Sequence, residues 1–106
     1  MEIRFEEELV DLILDGEKDT TWRLWEERDV SPGQKVSLTD TSGERFAEAE
    51  ILWVKDTTFS DLTEEDIEGH ESYESKEEMY RTYEGYYDRE VDGDTEVKVI
   101  KFELLR

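Results

Sequence analysis

Acidic side chains recur along the whole chain, from Glu2 to Glu103, and outnumber basic ones 32 to 13, leaving a formal net charge of −19. No other feature restricts the fold as much. A compact state must carry that like charge on its surface while only 35% of the 106 residues are hydrophobic. High charge with low hydrophobicity is also the composition of disordered chains, which bury too little apolar surface to offset the entropy of ordering. Disorder is opposed here by 3 Trp, 5 Tyr and 4 Phe, and by apolar residues that recur periodically. The length fits a single domain, residues 1–106, with one modest core.

Self-repulsion on this scale destabilises a compact state in ordinary salt. At molar salt the Debye length falls to about 3 Å and long-range repulsion largely vanishes. The dispersed acids therefore read as adaptation to a salt-rich cytoplasm. The competing readings are a mesophilic acidic protein and a nucleic-acid mimic facing a basic partner. With no cysteine there is no disulfide framework, disulfide-linked partner or thiolate metal site. No apolar run approaches the roughly 18 residues of a membrane span, and the start, MEIRFEEE, is too acidic for a signal peptide. A soluble cytoplasmic protein with no membrane partner is the expectation, with a monomer as the simplest state.

Phe5, Leu9, Leu12 and Ile13 recur at helical spacing and predict a helix over residues 5–15, stopped by Gly16. Thr20, Thr21, Trp22 and Leu24 then favour extended backbone, on which Trp22 and Trp25 would face opposite ways. The turn SPGQ leads into a strand over residues 35–39, and DTSGER forms a second turn. In FAEAEILWVK, alternation places Ala47, Ala49, Ile51 and Trp53 on one face, with Trp53 in the core. Thr63 suits an N-cap for a short acidic helix reaching Glu68, and Ser75 with Glu78 forms a capping-box pattern for a helix ending at Gly85. TEVKVIKFEL is the last strand, with Val97, Val99 and Lys101 opposite Lys98, Ile100 and Phe102. Strands interrupted by one-sided helices imply an α+β domain or a capped barrel.

The chemistry-bearing residues gather in DGEKDTTWRLWEE. Lys18 beside the Thr21 hydroxyl could activate a nucleophile if burial lowers the lysine pKa, with a carboxylate from elsewhere as orienter or proton donor. The structural alternative is a cation favoured by the helix C-terminus, followed by ordinary strand formers. Asp19, next in sequence, could pair with Lys18 and hold it as a cation. Lys18, Arg23, Arg28 and Lys35 could form a phosphate-binding strip, or surface ion pairs with the acids between them. Trp22 could stack on a base or fill the core. His70, the single histidine, is a proton carrier, a pocket-rim residue or an exposed loop residue. No second histidine supports a histidine-rich metal site, and EEDIEGHESYESKEE lacks the alternating oxygen ligands of an EF-hand loop. Neither a metal nor a cofactor is expected.

The pattern Gly16, Lys18, Thr21, Arg23 in GEKDTTWR resembles the ASCH domain family. The resemblance extends over SPGQKVSL, AEAEILWVKDTTFSDLTEEDIEG and TEVKVIKFELL. It implies a PUA-like mixed β-barrel of about five to six strands with flanking helices, a fold used for RNA recognition. It also implies a cleft lined by the Gly-x-Lys-x-x-Thr-x-Arg segment. One branch of small members hydrolyses the amide of N4-acetylcytidine with lysine, threonine and glutamate. Carried over, these are Lys18 as base, Thr21 as nucleophile and Glu68 as proton donor; another alignment puts the carboxylate on Glu71 or His70 in its place. Arg23, Trp22, Arg28, Lys35 and His70 are the candidate ligand-binding residues. The expected function is RNA, nucleotide or nucleoside binding, with deacylation of an acylated nucleoside as the alternative and an acidic protein-binding module as the third reading.

Overall fold

Residues 96–105 alternate so that both faces of one strand are apolar, and this strand becomes the centre of the domain. In the computed structural model, which describes residues 1–105, strands β1 (Glu2–Arg4), β2 (Thr20–Arg23), β3 (Lys35–Thr39), β4 (Arg45–Thr58) and β5 (Glu96–Leu105) form one mixed sheet. Its order is β1-β3-β4-β5-β2, with β1 parallel to β3 and every other pair antiparallel. Helices α1 (Glu7–Leu14), α2 (Glu64–Ile67) and α3 (Lys76–Tyr87), with a 3-10 turn at Phe59–Asp61, complete the α+β architecture. Among the described residues no helix is long and apolar enough to cross a membrane.

β5 divides its side chains between two cores. Ile100 and Phe102 join Ile3, Phe5, Ile13 and Ile51 in a cluster beneath α1. Val97 and Val99 join Trp22, Phe59, Met79 and Tyr83 beneath α3. Burying Phe102, 1% exposed, contributes about 1.5–3 kcal/mol by itself. The neighbouring strand β4 carries a bulge at Leu52: Ile51 pairs with Phe102, but Trp53 pairs with Lys101. One extra residue reverses the alternation, so Ile51 enters the first cluster while Trp53 packs half-buried against the second. Ile51 and Trp53 therefore do not share the face that strict alternation assigns them.

Three other readings change. The predicted helix over 5–15 is shorter, because Glu2–Arg4 pairs with Ser37–Thr39 as a strand. That three-residue strand, with one buried side chain between two charged ones, is too short to show a period. α3 continues through Gly85 to Tyr87 and ends at Asp88, which adopts a left-handed φ of 54°. An interior glycine costs a helix only about 1 kcal/mol, and Tyr83 and Tyr87 pack on the second cluster on either side of it. Trp25 is not extended: its φ is 51°, β2 having ended at Arg23.

The sheet curls until its edges, β1 and β2, face one another. No strand ladder joins them; arginine side chains do. Arg23 Nη2 donates to the Arg4 carbonyl at 2.6 Å, and Arg28 Nη1 donates to the Glu2 carbonyl at 2.7 Å. The Arg23 guanidinium also lies 4.9 Å over the Phe5 ring. The seam bridged in this way is where the cleft opens.

Candidate functional site

α1 ends in a glycine-dependent turn that delivers Lys18 into the seam. Gly16, at a φ of 81°, donates to the Ile13 carbonyl, and Glu17 and Lys18 donate to Leu12. These bonds satisfy the last helical carbonyls and reverse the chain. Lys18 is only 3% exposed. Its ammonium donates to the Thr20 carbonyl at 2.7 Å and to Glu71 Oε2 at 2.5 Å. Burial pulls the Lys18 pKa below its usual value, and the Glu71 carboxylate restores it only in part. Burial pushes Glu71 the other way, but the Lys18 ammonium, helped by His70, holds its carboxyl below the ordinary carboxylate range. A carboxylate and a lysine that surrenders its proton more readily than in water thus sit side by side.

Glu71 reaches Lys18 because the loop after α2 is tied to the start of β2. The Gly69 carbonyl accepts from the backbone N–H groups of Asp19 and Thr20, and the Thr20 hydroxyl donates to the Glu68 carbonyl at 2.9 Å. Gly69 has a φ of 78°, and a Cβ there would lie 1.8 Å from Asp19 Oδ1. Asp19 does not pair with Lys18; Lys101 Nζ holds its carboxylate at 2.8 Å. Gly69→Ala is expected to cost about 1–3 kcal/mol through the left-handed backbone and to displace Asp19. Urea unfolding in molar KCl measures this, and adding Asp19→Ala should recover the steric part while leaving the backbone part.

His70 lies behind the pair, its side chain 1% exposed. Its ring stacks on Trp22 at 3.7 Å and 9°. Nδ1 is 3.0 Å from the Glu71 carbonyl oxygen, and Nε2 is 3.0 Å from the Tyr83 hydroxyl. Burial, with the Lys18 charge nearby, lowers the His70 pKa to about 4. The imidazole is therefore neutral near pH 7.

A cavity of about 200 Å³ opens over these groups. β2 and the loop supply Lys18, Thr21, Trp22, Arg23, His70 and Glu71; the segment through β1 and α1 supplies Arg4, Phe5, Glu6 and Leu9; α3 supplies Tyr83, Tyr86 and Tyr87. Thr21, 5% exposed, places its side chain at this cavity. Trp22 is 3% exposed, sandwiched within the second cluster, and its Nε1 donates to the Asp66 carbonyl at 3.0 Å. Arg23 lines the cavity, and its Nε is sealed from solvent without a partner.

Not every residue singled out in the sequence meets here. Glu68 lies on the surface beside Trp53, Glu64, Glu65 and Lys101, so the carboxylate next to Lys18 is that of Glu71. Arg28 pairs with Glu26 at 2.7 Å and bridges to β1, and Lys35 lies exposed opposite Glu50 on β3; neither lines the cavity. Tyr83, Tyr86 and Tyr87 were missed, although their spacing on one capped helix was the available signal. Among the described residues no group of three or more His, Asp or Glu side chains is arranged to hold a metal ion.

Comparison with known proteins places this geometry. Residues 2–106 match the family model described as the ASCH domain. The ASCH domain from Lactobacillus crispatus JV V101 superposes with a TM-score of 0.68 at 19% identity, covering 89% of this chain and 68% of that one. The hypothetical protein PH0355 superposes at 0.74 with 26% identity, over 98% of this chain and 97% of that one. A protein from Pyrococcus furiosus gives 0.64 at 24% identity, over 100% and 99% of the two chains. None of the curated proteins compared with the chain matches it. With the family match spanning nearly its whole length and the fold shared with a solved ASCH domain, the chain belongs to the ASCH domain family and its five-stranded mixed sheet with flanking helices is PUA-like.

Proposed function

We propose that the cleft takes one acylated nucleoside at a time and hydrolyses its amide, with N4-acetylcytidine as the type substrate. The observation that carries this reading is the Lys18–Glu71 pair at the cavity beside Thr21. A cavity of about 200 Å³ lies below the roughly 300–1,000 Å³ of drug-sized pockets and suits a base with its acyl group rather than a strand. A net charge of −19 opposes binding of long RNA, whose non-specific affinity rests on phosphate neutralisation.

At rest the pair is a Lys18 ammonium and a Glu71 carboxylate, and the ammonium proton first crosses their hydrogen bond to Glu71. With that proton on Glu71, Lys18 is neutral and takes the proton of Thr21 as its hydroxyl oxygen attacks the acetyl carbonyl carbon. The carbon–nitrogen bond breaks as Glu71 gives its proton to the departing amine, leaving an acetyl ester on Thr21 and free cytidine. Water then attacks the ester, one of its protons passing through the pair to the threonine oxygen, and acetic acid leaves, giving its remaining acidic proton to solvent as acetate. The Arg23 guanidinium is the group available to stabilise negative charge on the carbonyl oxygen.

The test is chromatographic release of cytidine from N4-acetylcytidine in molar KCl. Lys18→Ala and Thr21→Ala are each expected to lower kcat by about 1,000-fold or more. Unchanged turnover in either variant overturns the mechanism. Saturable nucleoside binding without turnover in the wild type would instead assign the cleft to recognition, the simpler role of a nucleoside- or RNA-binding ASCH module.

A further inference from the structure

We infer that His70 is a positioning residue for Glu71, holding its carboxylate against Lys18 through a single imidazole tautomer whose other nitrogen is fixed by Tyr83. The inference rests on the deacylase reading for its kinetic consequence, but its geometry stands apart from turnover.

The tautomer follows from the partners. A carbonyl oxygen only accepts, so the 3.0 Å contact with the Glu71 carbonyl requires the hydrogen on His70 Nδ1. In a neutral ring Nε2 is then an acceptor, and the Tyr83 hydroxyl, at 3.0 Å, must donate to it. The same Nδ1 lies 3.4 Å from Glu71 Oε2, the oxygen that accepts from Lys18. One N–H therefore faces both the backbone and the carboxylate of Glu71. The ring cannot tip away, because Trp22 stacks on it at 3.7 Å and is itself anchored to the Asp66 carbonyl. The ionisable groups around this arrangement are Lys18, Asp19 and Arg23 from the β2 segment, and Tyr73, Tyr83 and Tyr86 from the segment through α3, with Glu6 and Glu8 acting on Tyr86. Burial raises the phenol pKa of all three tyrosines, so these rings stay neutral where Lys18 and Glu71 exchange a proton.

Two amide replacements separate positioning from packing. The amide nitrogen of His70→Asn falls near the position of Nδ1, and that of His70→Gln near Nε2. Both lose the aromatic ring, but only the first keeps a donor toward Glu71. With N4-acetylcytidine in molar KCl, His70→Gln should lose about 10- to 100-fold in kcat with KM little changed. His70→Asn should recover most of that loss. The Glu71 carboxyl, titrated by carbon-13 NMR, should shift in the Gln variant and stay near wild type in the Asn variant. This second readout needs no turnover, so a wild type without deacylase activity ends the deacylase reading and leaves the titration to decide the role of His70. Nitrogen-15 spectra of the wild type near pH 7 should show hydrogen on Nδ1 and a bare Nε2, which covers the case in which a variant does not fold. Equal behaviour of the two variants, or hydrogen on Nε2 in the wild type, overturns the inference.

Discussion

Glu71→Ala is expected to destabilise the protein by about 3–5 kcal/mol near neutral pH, the cost of leaving a buried charge without its partner. Lys18 is 3% exposed and Glu71 21% exposed, so the two members do not suffer equally. Removing the carboxylate strands the ammonium beside a single carbonyl oxygen, that of Thr20. Removing the lysine leaves a carboxylate that still touches solvent, so Lys18→Met should cost less. The double variant Lys18→Met with Glu71→Leu should regain most of the stability lost in Glu71→Ala, because a pair taken out of water is worth little net against apolar groups of similar size. The defect should also shrink as pH rises. Burial lowers the folded-state pKa of Lys18, so between that value and the unfolded value the unfolded chain binds more protons and stability climbs with pH. Urea unfolding in molar KCl at several pH values reads all three effects. A Glu71→Ala penalty under about 1 kcal/mol, the scale of an exposed ion pair, would show that Lys18 is solvated after all.

Acidification is expected to remove up to about 3 kcal/mol of stability through His70 alone, following the drop of its pKa from 6.5 to about 4. The sign follows from the direction of the shift. The unfolded histidine binds a proton below about pH 6.5, whereas the folded one resists until about pH 4. The His70 contribution is therefore full above pH 6.5 and declines as pH falls toward 4. Discharging the exposed carboxylates acts oppositely at the acidic end by relieving the repulsion of a −19 chain. Glu71, held low by the Lys18 ammonium, instead loses stability in the same direction as His70. The measurement is accordingly a difference: urea unfolding from pH 7 to 4 for the wild type and for His70→Asn. The wild type should lose more between these limits, and parallel curves would place His70 in water.

How much was legible in the residues depended on the distance over which each is positioned. Lys18, Thr21 and Arg23 lie within one turn and one short strand, so a local motif announced them together. Their carboxylate does not. Glu68 follows directly from the pattern before Gly69, yet it serves as the cap of α2 and faces outward. Glu71 reaches the cavity because Gly69 bends the chain and bonds to β2, a long-range contact with no local signature. Arg28 shows the opposite failure: grouped with Arg23 by sequence proximity, it closes the seam to β1 and never enters the cavity. His70, whose role the sequence left open, is enclosed by Trp22, Tyr83 and the Glu71 carbonyl.

The sequence by itself determined the α+β class and the approximate span of most helices and strands, and the family motif in GEKDTTWR marked the segment that lines the cleft. Periodicity, capping residues and glycine stops act within a few residues, and the local chain carries all of that information. Tertiary structure decided the Leu52 bulge, the continuation of α3 past Gly85, the partner of Asp19 and the choice of Glu71 over Glu68. Each of these depends on groups far apart in sequence competing for one place. Asp19 illustrates the difference. Adjacency made Lys18 its available partner, but β5 sets Lys101 against its carboxylate, and that choice leaves Lys18 to Glu71.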